Sequence, residues 1–148
     1  MDEKTKTILI GLIKEFEGCR LTAYPDPATG GDPWTIGYGQ TGDGIKKGVV
    51  WTQKQADDAL AVAMVKYWQQ AVNASPNLAK ATPPRQAAIV DFCYNCGIGN
   101  YKKSSLIKDV IAENWHGASL NILKWDKAAG KVMKGLTRRR QAESKLLL

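Results

Sequence analysis

Residues 87–96, within the run Gln86-Ala87-Ala88-Ile89-Val90-Asp91-Phe92-Cys93-Tyr94-Asn95-Cys96, are apolar on nearly every side of a helix. A helix with no polar face belongs at the centre of a domain, and ten residues are too few to span a bilayer. Thr82 can cap this helix, with Pro83 or Pro84 in its first turn. The rest of the chain supplies helices to cover it. Thr52-Gln53-Lys54-Gln55 reads as a capping box, with Thr52 as N-cap and Gln55 reaching back. After it Ala56, Ala59, Leu60, Ala63, Met64, Tyr67, Trp68, Ala71 and Val72 recur at three- and four-residue spacing, predicting a helix of about five turns or more. Further helices are expected over residues 106–112, 118–127 and 138–147.

The N-terminal stretch carries the first chemical signal. At about 100° per residue, Leu9, Leu12, Ile13 and Phe16 share one arc with Ile10 at its margin, and Glu17 falls inside that arc. Glu15 points roughly 160° away and reads as a solvated side chain. Gly18 ends the helix, so Glu17 sits in the last turn. There the negative end of the helix dipole and nearby apolar side chains favour a protonated carboxyl, which suits a general acid. The alternative is a glutamate whose charge is met by an arginine.

Beyond Gly18 the helical period stops. Pro25, Pro27, Gly30, Gly31 and Pro33 punctuate a loop, and Trp34-Thr35-Ile36-Gly37-Tyr38-Gly39 alternates like a short strand. Asp26 lies between two prolines on stiff backbone. Two readings are open for it, a turn former bonding its own backbone or a held carboxylate. Thr35 alone is a β-branched strand residue. A pair of carboxylates facing one site can divide the acid and base roles of glycoside hydrolysis.

Together these pieces have a familiar order. Glu17-Gly18-Cys19-Arg20-Leu21, Tyr24-Pro25-Asp26 and Trp34-Thr35-Ile36-Gly37-Tyr38-Gly39 resemble the catalytic segment of phage-type lysozymes, glycoside hydrolase family 24. Gly135-Leu136-Thr137-Arg138-Arg139-Arg140-Gln141-Ala142-Glu143 is similar to that family's closing motif, residues 86–99 to its central helix, and Trp125 and Gly130 to the segment beyond. Gln40 departs from the pattern, standing where the family often has histidine, and it cannot change charge near neutral pH.

The resemblance implies an α+β, predominantly helical fold in a single lysozyme-like domain. A small β-containing lobe of about residues 18–51 and a larger helical lobe, about 74–148 with the N-terminal helix, would flank a cleft, joined by a linking helix of about 52–73. It implies an endolysin muramidase cutting the bond between N-acetylmuramic acid and N-acetylglucosamine in peptidoglycan. Glu17 would be the general acid, Asp26 and Thr35 would position water, and the outcome would be inversion. Arg139 is the candidate ion-pair partner of Glu17. The expected partner is the peptidoglycan glycan strand, with no cofactor, no stable membrane insertion and a monomeric state. Close alternatives are a lytic transglycosylase on the same bond and a non-catalytic wall-binding protein.

Composition is consistent with this. At 148 residues and 44% hydrophobic content the chain can bury one domain core. A formal charge of +7 and a pI near 9.4 favour a polyanionic partner. Wall polymers qualify, and no recognised nucleic-acid motif is present. Cys19, Cys93 and Cys96 are odd in number and too few for a disulfide scaffold. Cys93 and Cys96 have C-x-x-C spacing but lie in an apolar helix without a second pair, which fits packing better than zinc. His116 has no evident ligand partners. The apolar run 8–13 becomes charged at Lys14 with no small-residue cleavage site, so it reads as neither signal peptide nor anchor. Taken with this, the family resemblance implies synthesis in a host cytoplasm, release by a phage holin and action in the periplasm.

Overall fold

A computed structural model describes residues 1–148. It is α+β and predominantly helical, as expected. The chain groups into two compact units, Ile13–Met64 and a second made of Met1–Leu12 with Val65–Leu148. Both boundaries fall inside long helices.

The first helix, α1 (Glu3–Glu17), starts earlier than its apolar arc because Asp2 Oδ1 accepts the Thr5 N–H at 2.8 Å, an N-terminal cap. Leu9, Leu12 and Ile13 are buried, Glu15 is exposed and Glu17 is half-buried, as the periodicity requires. Gly18 ends the helix at φ +65°, its N–H reaching the Lys14 carbonyl at 3.3 Å.

In the Ile13–Met64 unit, β1 (Arg20–Tyr24) pairs antiparallel with β2 (Thr35–Gly37), matching Arg20 with Gly37 and Tyr24 with Thr35 across an irregular register. On its other side β1 meets residues 49–51. Ala23 N–H donates to the Val49 carbonyl and Trp51 N–H to the Leu21 carbonyl. The strand expected over 34–39 is cut to three residues for a local reason. Ile36 and Gln40 exchange backbone hydrogen bonds of 2.9 and 2.8 Å, folding residues 37–39 into a tight loop with Gly37 at φ +65° and Gly39 at φ +88°. Side chains at those angles would be strained, so glycine is required. Ala23, Ile36, Tyr38, Ala56 and Leu60 are buried in this unit.

Helix α2 (Gln53–Ala74) opens on the expected capping box, with Gln55 N–H on Thr52 Oγ1 at 3.1 Å and Thr52 N–H on Gln55 Oε1 at 2.8 Å. After a 3₁₀ turn, Pro76–Lys80, comes α3 (Pro83–Cys96). Every residue from Gln86 to Cys93 is buried. Thr82 occupies the N-cap position, but its hydroxyl accepts no capping bond. Pro83 and Pro84 fill the first two helical positions and have no N–H, which leaves the Arg85 N–H as the first donor, and it does not bond the hydroxyl. Gln86, polar and buried, is fully employed: its Oε1 takes the Thr5 hydroxyl at 2.7 Å, and its Nε2 donates to the Leu78 and Ala79 carbonyls, each at 3.1 Å.

The covering elements are α4 (Ile98–Lys103), α5 (Ser105–Ile111), α6 (Trp115–Ile122), the hairpin β3 (Lys127–Ala128) and β4 (Lys131–Val132), and α7 (Lys134–Leu147). Ser104 caps α5 through the Ile107 N–H, and Asn114 caps α6 through the Gly117 N–H, starting α6 three residues before the periodicity does. Helices α4, α6 and α7 close the core. The α3 ring of Phe92 meets Tyr101 and Trp125 edge-on, with centroids 6.3 and 5.5 Å away. No helix is long and apolar enough to cross a membrane.

Candidate active site

Glu17 closes α1, and the loop it meets is the tight one at 37–39. A Cβ built on Gly39 would lie 3.0 Å from Glu17 Oε1, so the carboxyl rests directly against bare backbone. One helical turn earlier, the Lys14 ammonium stands over the Tyr38 ring, 5.6 Å from its centroid. Tyr38 is buried, and its hydroxyl accepts from Gln53 Nε2 at 3.0 Å and reaches Asp57 Oδ1 at 3.3 Å. Gln53 Nε2 also donates to Asp57 at 3.0 Å, so the first turn of α2 holds the loop from beneath. Burial raises the Tyr38 hydroxyl above its ordinary range, with the Gln53 bond opposing, so it stays neutral.

Asp26 forms the turn that was one of its two sequence readings. Its Oδ1 accepts the Ala28 N–H at 2.9 Å, the bond of an Asx turn, and its carbonyl accepts from Thr29 and Gly30. The turn fixes the side chain while engaging one carboxylate oxygen. Thr35 is half-buried and lies across the β1–β2 ladder from Tyr24, two residues before Asp26. The pairing of β1 with β2 thus draws the Asp26 loop and Thr35 together at one end, and at the other joins Arg20, three residues past Glu17, to Gly37 in the loop under its carboxyl. The Arg20 guanidinium stacks on Tyr24, 4.5 Å from its centroid, bracing β1. Gln40, where the family often has histidine, closes the tight loop through its backbone.

Arg139 is buried and forked onto buried Asp91. Its Nε donates to Oδ2 at 2.9 Å and its Nη2 to Oδ1 at 2.7 Å. Next to it Arg140, fully buried, donates from Nη2 to Glu143 Oε1 at 2.7 Å and to Asn95 Oδ1 at 2.9 Å, meets Cys96 Sγ through Nη1, and lies over the Phe92 ring. Glu143 is held well above the ordinary carboxyl range, first by burial and then by the Asp91 charge, with Arg140 and Arg139 opposing. Its Oε1 is the oxygen that Arg140 engages, and its Oε2 receives no donor.

Sequence reasoning gave no role to Asp91, Gly39 or the Tyr38–Gln53–Asp57 set. A lone acid in an otherwise buried helix was the available signal for Asp91, since such a group needs a partner. Of the thiols, Cys93 is buried and pushed up by that burial, Cys96 is half-buried and raised for the same reason with Arg140 opposing, and Cys19 is exposed.

The order of these residues along the chain is that of a known family, whose profile, phage lysozyme, matches residues 14–143. The chain belongs to the phage lysozyme family. Within it, the chain is 38% identical to an endolysin of Lactococcus phage c2 over 93% of its own length and 57% of that protein. It thus spans little more than half of that relative. An endolysin of Acyrthosiphon pisum secondary endosymbiont phage 1 is 37% identical, with 91% of each chain covered. Among solved structures, the muramidase domain of SpmX from Asticaccaulis excentricus superposes with a TM-score of 0.83 at 28% identity, covering 100% of this chain and 99% of that one. This phage lysozyme fold therefore occurs over the full length of the chain.

Proposed function

We propose that the chain is a muramidase that hydrolyses the β-1,4 bond between N-acetylmuramic acid and N-acetylglucosamine in peptidoglycan. Glu17 protonates the departing glycosidic oxygen. Asp26 stabilises the oxocarbenium-like charge and orients the attacking water through the oxygen that its turn leaves available, and the Thr35 hydroxyl makes a second contact to that water. Arg139, its fork held by Asp91, is the cation assigned to Glu17. A single displacement with inversion requires the two carboxyls to stand roughly 6.5 to 9.5 Å apart.

One observation carries this reading: Glu17, Asp26 and Thr35, from three separate stretches of sequence, lie on one compact unit whose β1–β2 pairing ties their segments together. The names of the relatives supply the setting. In that setting residues 52–73 link two lobes of one domain, and the enzyme is made in the host cytoplasm, released by a holin, and acts in the periplasm as a monomer. Expression in a suitable host with and without a holin checks the release step, and prompt lysis without holin would overturn it.

The central experiment is digestion of purified peptidoglycan by wild type, Glu17→Gln and Asp26→Asn, with products identified by mass and anomeric form. Glu17→Gln should lose about three orders of magnitude, within the 10² to 10⁴ range of a general acid. New reducing muramic ends should be the product. Near-full activity of Glu17→Gln would reject the assignment, and anhydro products lighter by one water would mark a transglycosylase instead.

A further inference from the structure

We propose that Gly39 is a positioning residue, whose missing side chain sets where the Glu17 carboxyl stands. The inference deepens the general-acid reading of Glu17 and rests on it.

Two contacts register the tight loop against the last turn of α1. Lys14 meets Tyr38 and, three residues later on the same helical face, Glu17 meets Gly39. Successive loop residues therefore face successive positions of one helix edge. The loop cannot yield easily. Reciprocal bonds between Ile36 and Gln40 close its neck, the Tyr38 hydroxyl is tied to Gln53 and Asp57, and a Cβ at Gly37 would come within 2.9 Å of the Trp51 ring. With its seat fixed, the contact is relieved by moving the carboxyl.

A methyl at position 39 would stand 3.0 Å from Oε1, tighter than ordinary contact, and the side chain that must move is that of Glu17. A shift of a few tenths of an ångström relieves the contact, and since a misplacement of about 1 Å can cost about 10²-fold in rate, a loss of about 10-fold is expected. Backbone strain is a separate effect, because an alanine at φ +88° is strained whatever surrounds it. Gly48 separates the two. Its φ is +89°, and a Cβ there would meet nothing within 4 Å.

The test compares Gly39→Ala with Gly48→Ala and Glu17→Gln on a soluble tetrasaccharide of alternating N-acetylglucosamine and N-acetylmuramic acid. Thermal melting runs alongside. Gly39→Ala and Gly48→Ala should lose similar melting temperature. Only Gly39→Ala should lose activity, by about 10-fold in kcat with KM little changed. Tyr38→Phe, which frees the loop from Gln53 and Asp57 without adding bulk, should show a smaller fall of the same kind. Equal kcat in Gly39→Ala and Gly48→Ala, with Glu17→Gln inactive, would overturn the positioning role alone. If Gly39→Ala does not fold, the Tyr38→Phe result decides, and an unchanged kcat there rejects the proposal. Activity of Glu17→Gln would instead bring down the general-acid reading.

Discussion

Glu143 shows how one buried acid shapes the behaviour of its neighbours. It is enclosed with Asp91, Arg139 and Arg140, and the thiols of Cys93 and Cys96 border the same cluster on α3. Its folded-state pKa is raised above the unfolded value near 4.5, so the folded chain holds a proton that the unfolded chain releases. The contribution is therefore fully present below about pH 4.5 and is lost as pH rises towards the folded value. Glu143→Gln removes the titrating group and keeps an amide oxygen as acceptor for Arg140 Nη2. It should flatten that part of the stability-against-pH curve, as read by urea unfolding between pH 5 and 8. A curve that keeps the wild-type slope would show that another group carries the pH dependence. None of this was legible in the sequence, because Arg139 and Asp91 are 48 residues apart and no local pattern pairs them.

Among the elements, legibility followed how local the determining interaction is. The α2 capping box and the buried face of α1 depend on residues within four positions of each other, and both stand as read. The Thr82 cap did not form: proline removes the first two donors, and the third helical N–H is not bonded to the hydroxyl. The β3–β4 hairpin escaped notice because two-residue strands have no period to detect. Its turn carries Ala129 at φ +51° ahead of Gly130 at φ +79°, where a β-branched or ordinary side chain is disfavoured. Ala129→Gly should relieve left-handed strain of about 1 kcal/mol and raise the melting temperature by a few degrees. A lowered melting temperature would mean that the turn is held by something other than its backbone angles.

At the scale of the whole chain, net charge bears on association with polyanions and not on the fold. An excess of +7 on 148 residues creates a long-range pull towards anionic walls. Salt shortens that pull to a Debye length of about 10 Å at about 0.1 M. Raising salt several-fold should therefore slow digestion of intact walls far more than cleavage of a soluble tetrasaccharide, compared in initial-rate assays. Equal slowing of both would place the charge effect at the bond being cut. The stretch proposed to be catalytic could be singled out because its motif is compact in sequence, spanning residues 17–39. The seat beneath Glu17 was not, since a glycine announces a turn without naming what it faces.

Cys19 has a practical consequence. It is the exposed thiol of the three, while burial suppresses the reactivity of Cys93 and Cys96. The unaltered polypeptide thus carries its own attachment point for a fluorophore or spin label, two residues past Glu17, where the proposed saccharide binding can be tested without engineering a handle.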